Sequence, residues 1–81
     1  MTEPVQMHPI EEIHVGEGWV SPFSEFEIRE TAIRIRQHGF EKPVVVDDRG
    51  RILSGHLTWL AAQWLNLQSL PVRRSHLRVV Q

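Results

Sequence analysis

The sequence predicts an α+β domain, a small mixed β-sheet carrying two main helices. Three observations predict it. A stretch ending at Gly39 carries helix punctuation at both ends, a run of three valines leads into an Asp-Asp-Arg-Gly turn, and apolar residues from Leu57 to Leu65 recur at helical spacing. The resulting order of strand, helix, hairpin, helix and strand suits helices packed on a mixed sheet.

Residues 1–9 read as an N-terminal extension and residues 10–81 as the single domain. Ile10, Ile13 and Val15 alternate well enough to predict a first strand ending at Gly16, and "EGWVSP" follows as a loop. Ser24 and Glu27 then form an S-x-x-E capping box, with Phe23 and Ile28 placed around it as a hydrophobic staple. Glu25, Glu27 and Glu30 lead this helix, Arg34, Arg36 and His38 close it, and Gly39 stops it, so its charges follow the helix dipole. Ile28, Thr31, Ala32 and Ile35 make the stripe that faces the core, while Phe26 and Ile33 lie on another face.

Pro43 disfavours helix before it, so Val44, Val45 and Val46 read as a buried strand. Gly50 supplies the positive φ of the turn, and Ile52 and Leu53 return as the partner strand. After Gly55, the residues Leu57, Leu60, Ala61, Trp64 and Leu65 fall at i, i+3, i+4, i+7 and i+8, an amphipathic helix with Trp64 in its core face. Asn66 is the exit, and "LPVRR" and "HLRVV" offer one or two closing strands.

Composition sets the outer limits. With 81 residues there is room for one compact unit, and the absence of cysteine excludes disulfide staples, a thiolate metal cage and a cysteine nucleophile. No apolar stretch approaches the ~18 residues of a membrane helix, and the acidic N-terminal segment lacks the apolar core of a signal peptide, so a cytoplasmic protein away from the membrane is expected. Charge is uneven: positions 1–48 hold all ten acids against four basic residues, a net −6, whereas positions 49–81 hold five arginines and no acid. That split points either to an anionic partner for the C-terminal part or to two halves that neutralise each other.

The start of the second helix is the main site candidate. Four backbone N–H groups open any helix without an intrahelical acceptor, and together they carry about half a positive charge. Gly55 as N-cap offers no side-chain oxygen to satisfy them and lets an anion approach the backbone, with Ser54, His56 and Thr58 close by to donate. The alternative is structural: Gly is an ordinary N-cap, and Ser54 one residue earlier is able to cap the helix itself.

The segment "HGFEKPVVVDDRGRILSGHLTWLAAQWLNLQSLPV" resembles the N-terminal domain of the ParB and sulfiredoxin-like superfamily. The shared pattern is a helix ending His-Gly-apolar, a Pro-Val-Val strand, a Gly-Arg turn, a Gly-His opening of a helix with Ala-Ala inside it, and a Leu-x-Leu-x-x-Leu-Pro-Val close; it runs from about Ile10 to Val72. The resemblance implies the α+β fold of that superfamily and a nucleoside triphosphate with Mg, cytidine triphosphate in partition proteins and adenosine triphosphate in sulfiredoxins, with phosphates at this helix start. Some relatives are described as nucleases.

The departures from that pattern bear on function. Where relatives carry basic residues after the glycine, this chain has Leu57 and Thr58, and "GEGWVSPFS" lacks the arginine of the phosphate-side motif after the first strand. A lost guanidinium clamp removes on the order of 1.5 to 3 kcal/mol. Sulfiredoxin chemistry needs a cysteine nucleophile, which is absent, and the helix-turn-helix domain of partition proteins is expected to be missing, which makes this a degenerate, stand-alone member.

Other constellations are thin. His8, His14, His38, His56 and His76 show no metal-ligand spacing, and Asp47 with Asp48 beside Gly50 is ordinary turn chemistry, so no metal is expected. Arg73, Arg74, His76 and Arg78 form a basic patch able to contact nucleic-acid phosphates or to guard an edge strand. Trp59 points away from the core stripe and reads either as a contact for a partner or second copy, or as packed under the loop holding Trp19.

The sequence therefore reads as a stand-alone domain that binds a phosphate-bearing ligand, nucleotide or nucleic acid, in DNA metabolism or plasmid or phage maintenance, including plasmid partition and DNA binding. Binding is favoured over catalysis. The alternative is a non-catalytic protein-interaction or dimerisation module working through Trp59, and a third reading is a nuclease with His56 as acid or base.

Overall fold

In the computed structural model, which describes residues 4–75, four strands form one sheet: β1 (Gln6–Pro9), β2 (Val44–Val46), β3 (Ile52–Ser54) and β4 (Ser69–Arg74). Two helices accompany it, α1 (Glu25–His38) and α2 (His56–Trp64). The strand order is β1-β4-β2-β3, with β4 antiparallel to β1 and parallel to β2, and β2 antiparallel to β3. One parallel and two antiparallel ladders make the mixed sheet that the sequence predicts.

Strand periodicity builds the core. Val44, Val46, Leu70 and Val72 are the largest fully buried side chains, two from each central strand at alternate positions, and Val44 pairs with Val72 across the parallel ladder. Ile13, Ile52 and Ala62 complete the cluster, with Ile10, Val15, Phe40, Trp59 and Leu67 packed around it.

The first strand is displaced from its expected place. Residues 10–16 do not form it; β1 lies at Gln6–Pro9, and a single 3-10 turn follows at Ile10–Glu12. Ile10 and Ile13 are three residues apart, which puts both on one side of a 3-10 turn but on opposite faces of a strand, so the turn is the conformation that packs both against the core. β1 carries no apolar alternation because it is an edge strand with Gln6, Met7 and Pro9 exposed. The chain then crosses to the far edge, where His14 pairs with Arg51: the His14 amide donates to Gly50 O (3.1 Å) and the Ile52 amide to His14 O (2.9 Å).

α1 forms as its punctuation dictates. The Glu27 amide donates to Ser24 Oγ at 3.1 Å and the Ser24 amide to Glu27 Oε1 at 2.9 Å, the full capping box, while the Gly39 amide closes the last turn on Ile35 O. Ala32 is buried toward the core side; Phe26 and Ile33 stay exposed, with the Arg29 guanidinium 5.9 Å from the Phe26 ring centre.

The β2–β3 turn is held by Asp47, whose Oδ1 accepts the amides of Arg49 and Arg51, both at 2.9 Å. Those donors, the Arg51 amide first, hold the Asp47 carboxyl below its ordinary range, helped by the Arg51 guanidinium at 3.4 Å and opposed by partial burial. Gly50 is buried at φ 85, and a Cβ on it would stand 2.5 Å from Glu12 O, so glycine is required twice over.

α2 differs from its expected orientation. Ala61 and Ala62 are its buried residues, so the centre of the buried arc lies between them. At ~3.6 residues per turn, Trp59 and Trp64 both stand roughly 110° from that centre, on opposite flanks. Trp19 covers the Trp59 flank, whereas Trp64 is 50 % exposed rather than core. Asn66, at φ 59, ends the helix as expected, and the Leu67 amide donates back to Ala62 O.

Candidate functional site

Gly55 is the N-cap of α2 at φ 94, and no side chain caps the helix. Glycine is needed here for packing as well: a Cβ would lie 3.1 Å from Val44 Cα, so the helix start sits directly against β2. Ser54, the last residue of β3, pairs with Val45 and makes no cap bond. The first backbone hydrogen bond of the helix runs from the Trp59 amide to Gly55 O at 3.0 Å, which leaves the amides of His56, Leu57 and Thr58 without an acceptor among the described residues. α2 has no acidic residue in its first turn to offset the positive end of its dipole.

The two flanks of this helix start differ. On the α1 side lies a cavity of about 170 Å³, lined by Leu57 and Thr58 of α2, Thr31, Arg34 and Ile35 of α1, and the connecting residues Gly39 to Lys42. Arg34 and Lys42 bring two cations to it and Glu41 one carboxylate; among the described residues neither cation is in an ion pair. The size is below the ~300–1,000 Å³ of pockets that engulf a drug-sized ligand.

The other flank is aromatic. The Trp19 and His56 rings stack with centroids 5.1 Å apart and planes 16° from parallel, and Trp59 meets Trp19 edge-on at 6.2 Å. Trp59 is thus packed under the Trp19 loop, the second of its two sequence readings, and its Nε1 is buried without a partner among the described residues.

Of the residues singled out in the sequence, Gly55, His56 and Thr58 share the helix start, but Thr58 faces the cavity and His56 faces Trp19. Arg73 and Arg74 do not join them. They pair with Val45 and Val46, progressively further along β2 from the Val44 that supports Gly55, and each is half-buried with its Nε lacking a partner among the described residues. His76 and Arg78 lie outside the described residues. Arg34 and Lys42 are the functional candidates that the sequence reading missed; only the packing of α1 on α2 brings them to Thr58, and no local spacing signals it.

Among the described residues no three His, Asp or Glu side chains come together as a metal site, and no helix is long and apolar enough to cross a membrane. His8 and Glu12 come within 3.9 Å and Asp47 and Arg51 within 3.4 Å, pairs that are local in sequence.

Comparison with known proteins adds the following. No protein-family model matches the chain. Over 64 residues it is 30 % identical to the ParB-like nuclease domain-containing protein YnaK of Escherichia coli K12, covering 79 % of this chain and 74 % of that protein. Its backbone superposes on sulfiredoxin from Arabidopsis thaliana with a TM-score of 0.81 at 22 % identity, over 91 % of this chain and 86 % of that one. It matches the C-terminally truncated chromosome-partitioning protein ParB from Caulobacter crescentus, complexed with CTP-gamma-S, with a TM-score of 0.79 at 24 % identity over 94 % of this chain. The same partitioning protein complexed to the centromeric parS site matches with a TM-score of 0.77. The chain spans 46 % of the CTP-gamma-S-bound ParB chain, and the structural matches at these identities establish the fold.

Proposed function

The chain belongs to the ParB/sulfiredoxin-like superfamily, and on that premise we propose that it binds a phosphate-bearing ligand, a nucleotide or the backbone of a nucleic acid, at the start of α2. The observation that carries this reading is the set of unaccepted amides at His56, Leu57 and Thr58 beside a cavity supplied with Arg34 and Lys42. Helix amides bind an anion through oriented donors and a favourable dipole, and the two cations provide the charge that Leu57 and Thr58 do not. The fold shared with a CTP-gamma-S complex and a parS complex of a partitioning protein supports a nucleotide or nucleic-acid ligand.

In this reading the site binds: Ser54 and Thr58 contribute hydroxyls and the amides of the helix start orient the phosphate. Mg would accompany a triphosphate as its counterion. Arg73 and Arg74 are a separate electrostatic contact for nucleic acid along β4. The likeness to a ParB-like nuclease domain-containing protein and to a chromosome-partitioning protein supports a role in DNA metabolism or plasmid or phage maintenance, with a cytoplasmic location as part of the same reading.

The test is a titration with CTP, ATP and a short DNA duplex, with and without Mg, followed by backbone amide shifts. Movement at residues 54–58 supports the reading; unmoved amides there at millimolar ligand refute it. The second reading, an interaction or dimerisation module, is favoured by the exposure of Phe26 and Trp64, 61 % and 50 %, and predicts self-association in place of ligand binding.

A further inference from the structure

We infer that two copies of this chain pair through the outer faces of their α1 helices, antiparallel about a two-fold axis that passes beside Glu30. The surface lies on the side of α1 turned from the core, and the inference is independent of the phosphate-binding reading. It rests on the dimerisation reading, to which it gives a surface and a geometry. The observation behind it is a pattern of apolar and charged residues on α1 that complements itself when one copy is reversed.

Phe26 and Ile33 are both exposed, and at ~3.6 residues per turn their separation of two turns sets them within about 20° of each other. Ala32, the buried residue of α1, stands about 120° from Phe26, so these two side chains form a second apolar face. The Arg29 guanidinium lies 5.9 Å from the Phe26 ring centre, and its stem widens the apolar strip. On one flank of the strip Glu25 and Arg36 share a line, three turns apart; on the other flank Glu27 and Arg34 do the same, two turns apart. Among the described residues none of these four charges is in an ion pair.

Reversing one copy makes these positions meet. The midpoint of Phe26 and Ile33 and the shared midpoint of the two charge pairs fall about 1.5 Å apart along the helix, on either side of Glu30. A two-fold axis there faces Phe26 with Ile33 of the second copy, Glu25 with its Arg36 and Glu27 with its Arg34, each contact made twice. Like flanks face each other in this arrangement, so both charge pairings hold at once. A parallel pair would set glutamates against glutamates and arginines against arginines at both ends and would align the two helix dipoles. Arg29 and Glu30, beside the axis, each meet their own copy, and one pair of helices about 21 Å long buries less than the ~1,200 Å² of a standard interface, so the association is weak, on the order of 100 μM.

The experiment is sedimentation velocity on the full chain from about 10 μM to about 1 mM, at about 50 mM and about 500 mM salt. A monomer–dimer equilibrium that weakens with salt is expected. Phe26→Ser and Ile33→Ser, at exposed positions, each weaken it about tenfold with the circular dichroism of the folded chain unchanged. Glu25→Arg and Arg36→Glu each weaken self-association, whereas an equimolar mixture of these two variants associates about as tightly as the parent, because both contacts between them are again opposite in charge. A mixture no tighter than its components overturns the antiparallel pairing. A dimer indifferent to the α1 variants but lost in Trp64→Ser overturns the α1 surface while the dimerisation reading stands, and a chain that stays monomeric at about 1 mM overturns both.

Discussion

Gly50 faces the carbonyl of Glu12, and a methyl group in place of its Cα hydrogen would come to 2.5 Å from that oxygen. Two connections that are far apart in sequence thereby fix one another, the 3-10 turn after β1 and the β2–β3 turn. Gly50→Ala must relieve both a positive φ of 85 and this clash, so a loss of about 2 kcal/mol or more is expected, read as a lowered midpoint in urea. Gly18→Ala, at φ 84 with open space around it, is the control and loses about 1 kcal/mol.

The capping box gives a second expectation. Ser24→Ala removes the side-chain acceptor of the Glu27 amide and leaves the backbone donor to Glu27 Oε1 in place, at about 1 kcal/mol, which in a domain of this size lowers Tm by about 4–8 °C. Thermal unfolding followed by circular dichroism reads it directly.

Acid sensitivity follows from Asp47. Its folded-state carboxyl titrates below its unfolded value because amides and a guanidinium favour the charged form. The stability it contributes is therefore present above the unfolded value near ~3.9 and is lost as pH falls through the lower folded one. Asp47→Asn is expected to be less stable than the parent at neutral pH, by about 1 kcal/mol given the exposure of the turn, with the difference closing below about pH 4. Urea midpoints across that range are the measurement.

Removing the cations of the α2 cavity tests the site from the protein side. Arg34→Ala and Lys42→Ala each weaken binding of a phosphate ligand by several-fold to about tenfold, and each lowers the steepness with which affinity falls as salt rises. Arg34→Lys restores most of the loss, whereas a ligand seated elsewhere is indifferent to all three variants.

The two tryptophans of α2 are expected to behave oppositely. Trp64→Ser changes stability by about 0.5 kcal/mol or less, in line with its exposure. Trp59→Ala costs about 2–4 kcal/mol, since it strips the Trp19 contact and a side chain packed on the core cluster.

That contrast marks where sequence reading succeeds and where it stops. The Ser24–Glu27 box, the Asp47–Gly50 turn and the Val44–Val46 strand were legible because each is decided by neighbours a few residues away. The exposure of Trp64 was not, because a helix in isolation has one apolar stripe, whereas α2 packs on α1 and on the sheet at once and its buried arc centres on the alanines; for Trp59 the packing under the Trp19 loop was one of two readings. β1 was misplaced because an exposed edge strand has no apolar rhythm to read. At the site, the glycine and the open helix start were visible in advance; Arg34 and Lys42 were not, since eight residues and a change of direction separate them.

Before the capping box of α1 is reached, the chain has already paired with β4 through Gln6–Pro9 on one margin of the sheet and with Arg51 through His14 on the other. Such a girdle joins the margins in series along one covalent segment: tension applied at the N-terminal side falls first on the Gln6–Pro9 pairing and reaches His14 only once that margin has let go. Pulled from that side in an optical trap, the domain is expected to yield the Gln6–Pro9 margin as a separate, earlier event.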